Sequence, residues 1–376
     1  MISLKNETIE RYEHSFVIRF HGSRNVLSTS WLNGGYCKHL AAVFNHQISL
    51  EECEMCKTLK DVKKYLENVS VSLSLDPNNV CGLMTCADMK NTAVVPISYR
   101  DLCVCAIVTA GINENGGRAG DPASYYETNE SFEPIGGTIN TILVINADLP
   151  EYAMGKALMT ATEAKAVALQ RLMARSIYSH GIATGSGTDM IAIVTDPNAK
   201  LHVSDAGKHS KLGELIGKSV IGATLEALRL QTGLSAESQM DVLARLSRFS
   251  VTKEDLWQAA EKIMTKSKHN SVSQEEFFIH LLECAKNPGL VAMTSATLHI
   301  IDEVEWGLLP ENEAKKAANN IIRGGFGFEK MSVEENNSGS IQASILYCLT
   351  KTISEFIMRE TVLSSANKFV ELLLRN

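Results

Sequence analysis

Ala183-Thr184-Gly185-Ser186-Gly187-Thr188-Asp189-Met190-Ile191-Ala192-Ile193-Val194 decides between two folds. Its Gly-x-Gly opening is that of a dinucleotide-binding turn, but such a turn needs a third glycine and then a helix. Met190 occupies the third glycine's place, and Met190 to Val194 is an apolar, β-branched run of strand character. A polar glycine turn that feeds a strand excludes the dinucleotide fold. No phosphate-loop lysine pattern occurs in the chain either.

Similar polar, glycine-punctuated turns recur outward from this stretch. They are Thr109 to Pro122, Gly136 to Thr141, Ala161 to Lys165 and Gly207 to Glu214. Such turns cannot fill a core, and their glycines let backbone approach something polar. They read as one site assembled from four or five loops. Between them, Phe16–Phe20, Val94–Ser98, Cys103–Thr109, Ile139–Ile145 and Met190–Val194 read as strands. Asp148, with Pro150 and Glu151 behind it, is the expected cap of a helix whose inner face is built largely of alanine, from Met154 to Leu172. Its polar pair, Thr162 and Glu163, has to face a crevice or water. A second helix follows Ser210, with Leu212, Leu215, Ile216, Val220 and Ala223 on one stripe.

From Ser235 the texture becomes that of successive amphipathic helices. Thr252 with Asp255 and Ser273 with Glu276 form capping boxes, Asn336-Asn337-Ser338-Gly339 is a loop, and Ile341 to Leu374 supplies a last helix or helix pair. The expected architecture is α+β: a mixed or antiparallel sheet with packed helices over residues 1–233, then an all-helical accessory domain over 234–376.

With 376 residues and a formal charge of -7, the chain offers no basic field for a nucleic-acid backbone. Nucleic acid and membrane are excluded as partners, since no apolar stretch is long enough to cross a bilayer. A polar amino terminus without an apolar signal core and an odd count of nine cysteines fit a cytoplasmic protein with reduced thiols. Cys53-Glu54-Met55-Cys56 spaces two thiols like half a zinc site, yet no second pair completes it, so free helix thiols are expected. Apolar stripes in the helical region could pair two copies in a homo-oligomer.

Taken in order, Leu32-Asn33-Gly34-Gly35, Gly82-Leu83-Met84-Thr85, Thr109-Ala110-Gly111, Arg118-Ala119-Gly120-Asp121-Pro122, Gly137-Thr138-Ile139-Asn140, Ala161-Thr162-Glu163-Ala164-Lys165, Ala183-Thr184-Gly185, Gly187-Thr188-Asp189 and Lys211-Leu212-Gly213-Glu214 resemble the adenosylcobinamide amidohydrolase family. The resemblance runs from about Ser15 to Leu230. It implies hydrolysis of the amide that joins aminopropanol to a corrin propionate, which gives adenosylcobyric acid for cobalamin salvage. No cofactor or protein-held metal is implied, because the cobalt arrives inside the corrinoid. The chain departs from the family pattern at Ser186, where threonine is usual, and at Gly116-Gly117, where alanine follows the asparagine. The first change keeps a hydroxyl, and the second is expected to loosen the loop.

Amide hydrolysis needs a polarised carbonyl, an activated nucleophile and a proton for the departing amine. Asp189, Glu163, His209 and Thr188 are the catalytic candidates. Asn115, Arg118, Asp121, Thr138, Asn140, Lys165, Thr184, Gly185, Ser186 and Gly187 are the candidates for holding substrate. Six of these have a structural alternative: Asp189 and Asp121 can tie their own turns, Glu163 can be a solvated helix position, His209 can be structural, and Asn115 and Asn140 can tie loops. A corrinoid-binding protein that does not cut its ligand is the competing class. An amide hydrolase for a smaller substrate is the third.

Overall fold

The strand Thr138–Ile145 (β8) is buried at every position, so it has to lie inside a sheet covered on both faces. Alternation along it sorts the two sides. Ile142 and Val144 belong to one apolar cluster, whereas Ile139, Leu143 and Ile145 belong to another.

In a computed structural model, residues 7–49, 51–52, 56, 58–123, 137–267, 272–327, 332–333 and 339–374 are described. Cys53 to Met55, Gly136 and Asn336 to Ser338 lie outside them. The chain divides into two compact units, Met1–Ala236 and Glu237–Asn376.

The first unit is built on a mixed sheet of eight strands. Besides β8 these are Glu7–Arg11 (β1), Ser15–Ser28 (β2), Gly35–Gln47 (β3), Val80–Thr85 (β4), Ala93–Tyr99 (β5), Leu102–Gly111 (β6) and Met190–Thr195 (β10). The order is β4-β3-β2-β10-β8-β6-β5, with β1 added to β2. The β10/β8 and β3/β4 pairs are parallel and the rest antiparallel. Two further short strands, Gly116–Gly117 (β7) and Gly185–Ser186 (β9), form a separate antiparallel ribbon.

The sheet curls. Asn140 on β8 donates through Nδ2 to Asn45 Oδ1 on β3 and to the Met84 carbonyl on β4, both at 2.8 Å. Asn45 Nδ2 in turn donates to Thr109 Oγ1 on β6 at 2.9 Å. Strands that are not neighbours in the sheet therefore meet across its concave side, around Phe16, Ile18, Val43, Leu83, Ile107 and Ile142.

Three helices cover the other face. Leu59–Ser72 (α1) starts at a capping box of Thr58 and Asp61 and packs Val62 and Leu66 against Phe44 and Val80. Glu151–Arg171 (α2) buries Ala153, Ala157, Ala161, Ala164 and Ala168, side chains small enough to bring its axis close to the sheet. Its cap differs from expectation. Pro150 takes the N-cap position with no side-chain bond, because Asp148 is bridged to the His202 segment and its carboxylate meets His202 Nδ1 at 2.9 Å. Lys211–Thr232 (α3) opens on Ser210, whose hydroxyl accepts from the Gly213 N–H at 3.0 Å, and closes on Gly233 in the left-handed region.

The second unit is helical: Val242–Leu246 (α4), Lys253–Ser267 (α5), Gln274–Cys284 (α6), Pro288–Glu305 (α7), Glu311–Phe326 (α8) and Ile341–Leu374 (α9). The last is one helix, not a pair. The expected boxes at Thr252/Asp255 and Ser273/Glu276 are both formed. Inside, Arg248 holds Asp302 through two parallel bonds of 2.8 and 2.7 Å, and both side chains are about 95% buried, with relative exposures of 5% and 4%. Among the described residues no helix is long and apolar enough to cross a membrane.

Candidate functional site

A cavity of about 1090 Å³ opens at the end of the sheet where β8 and β10 begin and β4 finishes. Its apolar lining includes Trp31, Ile48, Val62 and Met84, from β4, α1 and the turns about them. Its polar lining comes from the β7/β9 ribbon, the start of β8 and one turn of α2: Asp121, Thr138, Glu163, Lys165, Ser186, Thr188 and Asp189.

Asp189 is the most heavily bonded group there. Its Oδ1 accepts from the Ile139 N–H at 2.9 Å and from the Ser186 hydroxyl at 2.6 Å. Its Oδ2 accepts from the Ser186 N–H at 3.0 Å and from the Lys165 ammonium. Lys165 and Asp189 form an ion pair whose side chains are 14% and 15% exposed, open to the cavity on one side only. Four donors fill the roughly four lone-pair positions a carboxylate offers. The alanine face of α2 lets a lysine reach this far in. Gly185 has to be glycine, since a Cβ there would overlap the Asp189 carboxylate and stand 2.7 Å from the Lys165 nitrogen.

The hydroxyls beside the pair are tied in a chain. Thr188 Oγ1 donates to the Gly137 carbonyl at 2.6 Å, and the Thr138 and Thr188 hydroxyls are bonded to each other. Asn115 Nδ2 donates to the same Gly137 carbonyl at 2.6 Å. Asn115 is wholly buried and stands behind the wall, and Asn140 lies in the polar rung of the sheet. These two asparagines tie elements together and do not line the cavity.

Arg118, Asp121 and Thr184 do line it, in a closed turn. The Asp121 carboxylate accepts from the Arg118 N–H at 2.7 Å and the Ser176 hydroxyl at 2.6 Å, and Thr184 Oγ1 accepts from the Ala119 N–H at 3.0 Å. Burial raises the Asp121 pKa, but the Ser176 and Ser179 hydroxyls and the Arg118 N–H and charge outweigh it, so the carboxyl sits below its ordinary value. The paired glycines 116 and 117 do not loosen this loop. They are the β7 half of the ribbon, and a Cβ on Gly116 would stand 2.8 Å from the Ile112 carbonyl.

Glu163 is on the rim, half-exposed, paired with Lys208 at 2.6 Å. His209, next to Lys208, is exposed and lies outside the cavity lining. Among the described residues no group of three or more His, Cys, Asp or Glu side chains gathers in a way that could hold a metal, and the described cysteines are free thiols.

A family model described as adenosylcobinamide amidohydrolase matches residues 2–236. The chain belongs to that family. An uncharacterized protein of Methanocaldococcus jannaschii is 34% identical over 226 residues, which cover 57% of this chain and 85% of that one. A crystal structure of a Pyrococcus horikoshii OT3 protein aligns with a TM-score of 0.30 and 10% identity over 59% of this chain and 83% of its own, a likeness too low to carry any conclusion.

Several of the segments on which the resemblance above rests meet at the cavity: Met84 and Thr85, Arg118, Ala119, Asp121 and Pro122, Thr138, Glu163 with Lys165, and Thr184 to Asp189. Lys211 to Glu214 does not, and serves as the start of α3. Trp31, Cys86 and Tyr178 also line the cavity and escape the sequence reading. Trp31 adjoins Leu32-Asn33 and Cys86 adjoins Met84-Thr85, so flanking a segment that carries the resemblance is the signal that finds those two.

Proposed function

We propose that this chain hydrolyses the amide between aminopropanol and the corrin propionate of adenosylcobinamide, releasing adenosylcobyric acid. The observation that carries this is a two-sided cavity with the Lys165–Asp189 pair set in its polar side. At about 1090 Å³ it exceeds the roughly 300–1,000 Å³ of ordinary small-molecule clefts, as a corrinoid requires. The apolar lining suits the face of a macrocycle, and the hydroxyl- and glycine-rich turns suit its fringe of amides. Lys165 stands where an ammonium can polarise a carbonyl and hand a proton to a departing amine. Arg118, Thr184, Gly185 and Gly187 serve as substrate contacts in this reading, and Glu163 with Lys208 guards the rim. The chain brings no metal of its own to the reaction, and cobalt enters as part of the substrate. The reaction serves cobalamin salvage in the cytoplasm, with no nucleic acid or membrane partner.

One observation favours the competing reading of a corrinoid binder. With all four acceptor positions filled, Asp189 has no free lone pair with which to take a proton from water. The two readings part on turnover. Purified protein incubated with adenosylcobinamide and no added metal is expected to release free aminopropanol, and Lys165→Met to bind the corrinoid but release none. Tight binding with unchanged substrate after long incubation refutes the hydrolase.

A further inference from the structure

A saturated Asp189 leaves one proton that it can still accept, the one already shared with it by Ser186. The threonine hydroxyls of the cavity give or take elsewhere. Thr188 donates to the Gly137 carbonyl, Thr138 is bonded to Thr188, and Thr162 donates to the Leu158 carbonyl. Thr29, Thr85 and Thr184 accept from the N–H groups of Ile191, Ala87 and Ala119. Carbonyls and hydroxyls are not bases near neutral pH. Among the described residues, Ser186 is the cavity hydroxyl whose proton is directed at a carboxylate, at 2.6 Å.

We infer that Ser186 is a nucleophile that forms an acyl-enzyme, with Asp189 as its base and Lys165 as the acid. This rests on the hydrolase reading above. Ser186 Oγ attacks the amide carbon while its proton passes to Asp189 Oδ1. The C–N bond breaks as Lys165 gives one proton to the departing nitrogen. What remains is a serine ester, a neutral Asp189 carboxyl and a neutral Lys165 amine. Water then attacks the ester and loses a proton to Lys165, and Ser186 Oγ leaves with the proton held by Asp189. The carboxylic acid is freed and all three side chains return to their starting states.

The geometry supplies what each step needs. Donor and acceptor are joined before substrate arrives, so no reorganisation is needed at the first transfer. The Thr188 N–H points at Ser186 Oγ at 3.4 Å and helps hold the hydroxyl in place. A Cβ on Gly187 would meet nothing within 4 Å, so the flank of the nucleophile is open. The ion pair stores an acid and a base in contact, and the reaction uses each once in each half.

The test measures amine release and corrin products as hydroxylamine is raised. For an amide, forming the ester is the slow half-reaction. The acyl-enzyme therefore predicts constant aminopropanol release while corrin hydroxamate replaces the free acid. Ser186→Ala is expected to lose turnover by on the order of 10³-fold or more, with corrinoid binding kept, as when a nucleophile is removed from a concerted set. Ser186→Thr, which keeps the hydroxyl, is expected to retain turnover. Free acid as the sole corrin product at every hydroxylamine concentration, or full turnover by Ser186→Ala, overturns the inference and leaves hydrolysis standing. No amine release by the wild-type protein overturns the hydrolase reading itself and the inference with it.

Discussion

Asp189→Asn tests the count of donors on its carboxylate. An amide has one acceptor end and one donor end, so half of the four incoming donors lose their partner. With its nitrogen turned toward Ile139, the asparagine faces a backbone N–H at what was a 2.9 Å bond, and the Ser186 hydroxyl has to rotate away. A buried N–H left unsatisfied costs about 1–3 kcal/mol. Lys165 then donates to a neutral oxygen, and a charged hydrogen bond worth about 1.5–3 kcal/mol is weakened. Turning the amide round is worse, since its nitrogen would meet both the Ser186 N–H and the ammonium. Because one side of the pair is open to the cavity, the lower part of the summed range applies, about 3–4 kcal/mol. For a unit of this size that is a fall in Tm of about 6–16 °C. Calorimetry on the wild type, Asp189→Asn, Lys165→Met and the double variant forms a cycle. In the double variant no ammonium is stranded, so its loss is expected to fall short of the sum of the singles by about 1–3 kcal/mol. Additive losses, or an unchanged Tm for Asp189→Asn, would refute the four-donor description.

Three further outcomes are expected. Gly185→Ala forces the Lys165–Asp189 pair apart and lowers kcat on the order of 10²-fold, read by amine release. Asp302→Ala removes the buried carboxylate that Arg248 holds and costs about 3–5 kcal/mol in thermal unfolding, whereas replacing both partners by apolar residues is close to neutral. His46 is held neutral, chiefly by burial against a smaller opposing pull from Glu52, with a pKa lowered from 6.5 to about 4. Its folded value is the depressed one, so the unfolded chain binds the extra proton. Stability is full above pH 6.5 and falls as pH drops toward about 4, by about 3 kcal/mol, and His46→Gln flattens a pH series of denaturant midpoints in that window.

The sequence was most legible where a single physical rule acts alone. The strands at 16–20, 94–98, 103–109, 139–145 and 190–194 announce themselves by β-branched runs, and the helices after Pro150 and Ser210 by spacing and start signals. β3 was hidden because its first half is polar and exposed and its buried half contains an alanine pair. β4 was hidden because cysteine and glycine dilute a six-residue run. Asp148 fits a capping pattern, yet a bridge to a segment more than fifty residues on takes its carboxylate, a competition no local rule contains. The site shows the same division. Glycine turns mark Thr184 to Asp189 as special, whereas only the folded chain shows that Lys165, placed among the substrate contacts, meets Asp189. Nor can spacing separate Asn140, an interior strut, from a ligand contact.

The rung of Asn45, Thr109 and Asn140 acts as a gauge for strand alignment. Side chains on a strand alternate, so a slip of β8 by one residue would turn Asn140 toward the alanines of α2 and bring Ile139 round into the rung. Misaligned pairings thus strand two amides in apolar surroundings, at about 1–3 kcal/mol for each lost partner, and are rejected before the cavity above them is complete. Because all three side chains are uncharged, this gauge reads the same at any salt concentration or acidity that leaves the chain folded.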